Sequence, residues 1–95
     1  MNDTPRSRGL ARGQPASYLG RAEPVIAPSA LTHGIDRLDI LHAYRNPLRI
    51  WDLEDGFTMT IGPSRAARIL EIGYVDGGDA MVIVHAMVAR EKFLR

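Results

Sequence analysis

The stretch "LRIWDLEDGFTMTIG", from Leu48 to Gly62, constrains the fold more than any other part of the chain. Two runs of strand character flank Asp55-Gly56, a pair that accepts positive backbone angles, so the chain is expected to reverse there into an antiparallel hairpin. In the second run Phe57, Met59 and Ile61 fall on one face and Thr58 and Thr60 on the other, the pattern of a half-buried sheet. After the loop "GPSRAA" come "RILEIGYV" and "AMVIVHAM", two further strands joined by the turn "DGGD". Leu70, Ile72 and Tyr74 alternate with Ile69, Glu71, Gly73 and Val75. In the last strand Val82 and Val84 are expected opposite Met81, Ile83, His85 and Met87. Its near-continuous apolarity predicts a central position in the sheet.

Ahead of the hairpin, Leu31, Ile35, Leu38, Leu41 and His42 recur at helical spacing, with Ile40 and Tyr44 widening the apolar face. Asp36 is placed to cap this helix and Asp39 falls at its third position. Gly34 marks a break after a first turn over Ser29 to His33, and Asn46-Pro47 ends the helix, because the residue before proline is pushed out of the helical region. Helix, about four strands on short turns and a brief C-terminal helix describe an α+β domain with a small antiparallel sheet.

Residues 1–27 mix Pro, Gly, Ser and Arg without apolar periodicity and read as a flexible arm, apart from a short extended piece at Val25-Ile26. Residues 28–95 form the expected domain. Formal charge is +1, and the arm carries four Arg against Asp3 and Glu23 while residues 28–95 carry eight basic groups against nine acids. A nucleic-acid site must therefore come from local clustering of cations rather than from net charge. The chain has no cysteine, which excludes disulfides and thiolate metal sites and points to a cytoplasmic location. No apolar run is long enough for a membrane span, so a membrane partner is not expected.

His33, His42 and His85 lie far apart in sequence, with no metal-ligand spacing, no phosphate loop and no serine-hydrolase motif, so no metal or other cofactor is expected. His42 reads as a packing or helix-ending residue and His33 as a local structural one. His85 differs. It lies in an apolar strand, where an unsatisfied imidazole is costly, so it either finds a backbone or carboxylate partner or faces a cleft. Glu71 interrupts the neighbouring strand and is such a partner. Arg65 and Arg68 sit in the loop before that strand, and Arg90, Lys92 and Arg95 in the last segment; brought together, they would make a patch able to grip phosphate.

Three stretches together resemble the small toxins of bacterial type II toxin–antitoxin systems, in particular the BrnT-like branch of the RelE/ParE superfamily. They are "HGIDRLDILHAYRNP", "TIGPSRAARILEIGYV" and "VIVHAMVAREKF", over roughly residues 30 to 95. The resemblance implies a RelE/ParE-like sheet with flanking helices and a metal-independent endoribonuclease, an mRNA interferase, acting on free or ribosome-bound message. It also implies a cognate antitoxin that binds the toxin in a hetero-oligomer. Under it His85, Arg65, Arg68 and Arg90 are the expected catalytic set, and Lys92 and Arg95 the expected RNA-binding cations. The family pattern ends its last strand in Ser-Ala-Arg, where this chain has His85-Ala86-Met87. The alternatives are a non-catalytic protein-interaction module and, more remotely, an inhibitor of DNA gyrase, a target of other members of the superfamily.

Overall fold

The computed structural model describes residues 23–95, so positions 1–22 of the arm assigned to residues 1–27 lie outside the described residues. The remaining part of that arm contributes strand β1, Val25–Ile26, and a single 3-10 turn, Pro28–Leu31, leads towards helix α1, Arg37–Arg45. Strands β2 (Arg49–Asp52), β3 (Phe57–Pro63), β4 (Ile69–Asp76) and β5 (Met81–Val88) come next in the chain, and a 3-10 turn at Glu91–Phe93 is last. All five strands form one sheet in the order β1-β5-β4-β3-β2, antiparallel except for the β1–β5 pair.

The α+β class is as expected, with three corrections. The sheet is mixed and has five strands, because the Val25–Ile26 piece lies alongside Val82 and Ile83 and Ala27 N–H donates to the Ile83 carbonyl at 2.9 Å. The C-terminal element is a 3-10 turn of three residues, since an α-helical turn carries a nucleation cost that so short a run of hydrogen bonds does not offset. The central strand is β4 rather than β5, whose outer edge meets β1 only at Val82 and Ile83.

The local signals produce the elements they predict. Asp55 (φ 62°) and Gly56 (φ 73°) take the positive angles of the turn between β2 and β3. Asp36 caps α1 by accepting from Leu38 N–H at 2.8 Å, and Asn46 N–H closes the other end on the Ala43 carbonyl before Pro47. The buried stripe of α1 is rotated from the expected one, however. Ile40 and Ala43 are fully buried, while Leu38 is 57% exposed. Gly62 supplies the reason: a Cβ there would lie inside contact distance of the Ala43 and Asn46 carbonyl oxygens, so only the small pair Ala43 and Gly62 lets helix and sheet approach closely. Ile40 and Ala43 close over Leu70, Ile72, Ile83 and Ala86, each large side chain contributing about 1.5–3 kcal/mol of burial.

The half-buried expectation for β3 is also corrected, since Met59, Thr60, Ile61 and Gly62 are buried in succession and hence on both faces. The helix covers one side. On the other, Phe93 packs against Trp51 with ring centroids 5.3 Å apart, and the Arg49 guanidinium donates twice to the Arg95 carbonyl at 2.7 Å. The C-terminal segment thus reaches back across the sheet to β2.

Candidate functional site

A β-bulge decides which residues share a face. In the β4–β5 ladder Gly73 pairs with His85 but Tyr74 pairs with Ile83, so Val84 is an extra residue on β5. Cross-strand partners point to the same side of a sheet. Ile83 therefore stays with Tyr74 towards the helix, whereas His85 and Met87 stand with Gly73 and Glu71 on the opposite face. This corrects the simple alternation that put Ile83, His85 and Met87 together, because one inserted residue reverses the side-chain sense of the strand beyond it. The Val84 carbonyl accepts the Ser29 hydroxyl at 2.7 Å. That bond fastens the Pro28–Leu31 turn against β5.

Glu71, a carboxylate in the middle strand, is completely buried. Its Oε2 lies 2.7 Å from His85 Nε2. Its two oxygens also accept from Arg90: the backbone N–H at 2.9 Å, Nε at 3.1 Å from each oxygen, and Nη2 at 2.7 Å. Burial by itself would raise the Glu71 carboxyl, but the Arg90 side chain, the Arg90 backbone N–H and His85 together outweigh it and hold the group below the ordinary value of 4.5. The carboxylate is ionised and can only accept. His85 therefore carries its proton on Nε2, and in the neutral ring Nδ1 holds the lone pair. The His85 side chain is 25% exposed, which leaves the ring accessible from solvent while its buried partner fixes its orientation.

Gly73 makes room for this arrangement. A Cβ at 73 would meet the Phe57 ring at 2.5 Å and the His85 Cβ at 3.2 Å. His33 also meets the imidazole, edge to face, with ring centroids 5.7 Å apart and planes at 78°. His33 comes directly after the turn that Ser29 fastens to β5.

The expected cations are partly drawn together and partly committed elsewhere. Arg65 faces α1, donating to Asp39 from its backbone N–H (3.0 Å) and Nε (2.8 Å) and to Asp36 from Nη2 at 3.3 Å. The Arg65 side-chain hydrogen bond in turn holds the Asp39 carboxyl below its ordinary value. Two acids thus balance this cation. Arg90 is committed to Glu71. Lys92 and Arg90 lie over the Phe93 ring, 5.2 and 5.5 Å from its centroid. Arg68 is exposed and makes no side-chain ion pair among the described residues; it lines a cleft of about 450 Å³ with Ile35, Asp36, Ser64 and Leu70. The Ala89 N–H bond to the Ile69 carbonyl (3.0 Å) brings the backbone of Arg68 and Arg90 to one end of the sheet. His42 turns away, its Nδ1–H donating to the Pro63 carbonyl at 2.7 Å, in keeping with a packing role.

Sequence reasoning paired His85 with Glu71 and named Arg90, but it did not join Arg90 to that pair or place His33 beside it. No local pattern reports a bulge, and the His33–His85 contact joins residues fifty-two positions apart. No family model matches the chain, and no curated protein or solved structure matches it. Among the described residues no helix is long and apolar enough to cross a membrane.

Proposed function

We propose that the chain is the toxin of a type II toxin–antitoxin pair and cleaves messenger RNA without a metal, with a RelE/ParE-like domain as its scaffold. The observation that carries this reading is the quarter-exposed His85 imidazole held at 2.7 Å by the wholly buried Glu71 carboxylate. A histidine so oriented is suited to removing a proton from a ribose 2′-hydroxyl, which then attacks the adjacent phosphorus. Arg90 brings a guanidinium to Glu71, the register partner of Met87. Its guanidinium lies on the face from which the family's strand-end arginine is missing, with its charge balanced by Glu71. Its first role is to keep Glu71 ionised. Arg68, Lys92 and Arg95 are assigned to the RNA backbone, while Arg65 braces the β3–β4 loop against α1.

A second reading is a non-catalytic interaction module, favoured by Leu48, Ile50 and Leu53, which are exposed along the edge strand β2. A cognate antitoxin would meet the same apolar edge under either reading. The two are separated by inducible expression of the wild type and His85→Ala in a bacterial host, with transcript integrity tracked beside growth. The toxin reading requires arrest and cut messages in the wild type, and a loss of about 100-fold or more in cleavage by a folded variant. Cleavage at the parental rate by His85→Ala would falsify the assignment. Intact messages together with a stable partner complex would favour the interaction module.

A further inference from the structure

Resting on that reading, we infer that His33 is the second proton-transfer group of the site, the general acid that protonates the leaving 5′-oxygen. The inference starts from the bulge. Val84 is the extra residue, its carbonyl takes the Ser29 hydroxyl at 2.7 Å, and the Pro28–Leu31 turn is thereby seated on β5. Thr32 Oγ1 donates to the Ser29 carbonyl at 3.1 Å and Gly34 N–H to the Leu31 carbonyl at 3.2 Å, so the residues on both sides of His33 are hydrogen-bonded into this turn. The ring reaches the edge of His85, 5.7 Å between centroids.

The two imidazoles differ in a way that divides the labour. His85 is bound to an ionised carboxylate through Nε2–H, which leaves Nδ1 as a lone pair in the neutral ring. His33 is exposed and has no carboxylate partner among the described residues. A phosphodiester lying across the pair would meet a base on one side and an acid on the other. His85 Nδ1 takes the 2′-hydroxyl proton, the 2′-oxygen forms a bond to phosphorus, the bond from phosphorus to the 5′-oxygen breaks, and the 5′-oxygen receives its proton from His33. The products are a 2′,3′-cyclic phosphate and a 5′-hydroxyl. Atoms and charge balance with no further reactant, and proton exchange with water restores both rings.

The test is the pH–rate profile of wild type, His33→Gln and His85→Gln on a short oligoribonucleotide. It is repeated on a uridine 3′-aryl phosphodiester, whose phenolate leaves without a proton. A base that must be neutral and an acid that must be protonated give the wild type a bell-shaped profile. His33→Gln should lose about 100-fold or more on the oligoribonucleotide, lose the alkaline limb of the bell, and recover most of its rate on the aryl ester. His85→Gln should be slow on both substrates. A His33→Gln protein with the wild-type rate and profile overturns the inference and leaves the assignment of His85 standing. A slower variant that keeps the alkaline limb and gains nothing from the aryl ester overturns it as well, since His33 would then only position the substrate. If the wild type cleaves neither free RNA nor ribosome-bound message, both readings fall.

Discussion

Replacing Glu71 by Gln tests the network around the site at nearly constant volume. The carboxylate accepts from three groups, the His85 ring, the Arg90 backbone N–H and the Arg90 guanidinium. Each bond to an ionised acceptor contributes about 1 kcal/mol more than its neutral counterpart. The Arg90 side chain is 47% exposed, so water takes over part of its loss and the sum is discounted to about 2–3 kcal/mol. Geometry adds a conflict, because Oε2 accepts from both His85 and Arg90 Nη2 and an amide nitrogen in its place would face two donors.

The pH dependence fixes the sign. Glu71 is held below 4.5 in the folded chain, so at low pH the unfolded chain binds the proton first. The stability that Glu71 contributes is complete above about pH 4.5. It is lost as pH falls from there through the folded value. Urea unfolding monitored by the fluorescence of Trp51, the single tryptophan, should show a deficit of about 2–3 kcal/mol at pH 7. With a urea slope of about 1 kcal/mol per molar, that is a midpoint lower by about 2–3 M. The deficit should narrow steadily below pH 4.5. A deficit that stays constant from pH 7 to pH 3, or widens in acid, would refute the view that an ionised Glu71 organises the site.

Two further substitutions probe the scaffold. Gly62→Ala should lift α1 off the sheet, costing about 1–3 kcal/mol and lowering the thermal midpoint by at least about 4 °C; an unchanged melting curve would mean that the close approach at Ala43 is not required. Asp36→Ala removes the helix cap and should cost about 1 kcal/mol, seen as earlier thermal loss of the far-ultraviolet helix signal. It also removes the Arg65–Asp36 ion pair, while Arg65 keeps its two bonds to Asp39.

Much of the scaffold is legible along the chain because short-range chemistry writes it. Asp55-Gly56 can turn where bulkier residues would be strained, Asp36 can satisfy a helix N–H, and Asn46-Pro47 cannot continue a helix. Glu71 and His85 stand out for a related reason, as each interrupts an apolar strand and each therefore needs a partner. The rotation of α1 is less legible, since the contact between Ala43 and Gly62 joins positions nineteen residues apart and prevails over the apolar period that favoured Leu38. Arg65 illustrates the same limit. Its side chain reads as an available cation until the β3–β4 loop is folded against the start of α1, where Asp36 and Asp39 balance it.

The sequence by itself determined the α+β class, the turns, the helix caps and the need of His85 for a polar partner, all consequences of what neighbouring residues permit. Only the tertiary structure decided the face that His85 and Glu71 share. A single extra residue, Val84, puts His85 on the side of Glu71, and its carbonyl holds the turn that brings His33 to the ring. Arg90 reaches the buried carboxylate only after the last strand has paired. These contacts span from fourteen to fifty-five positions, and their energy comes from satisfying groups that burial alone would leave unpaired.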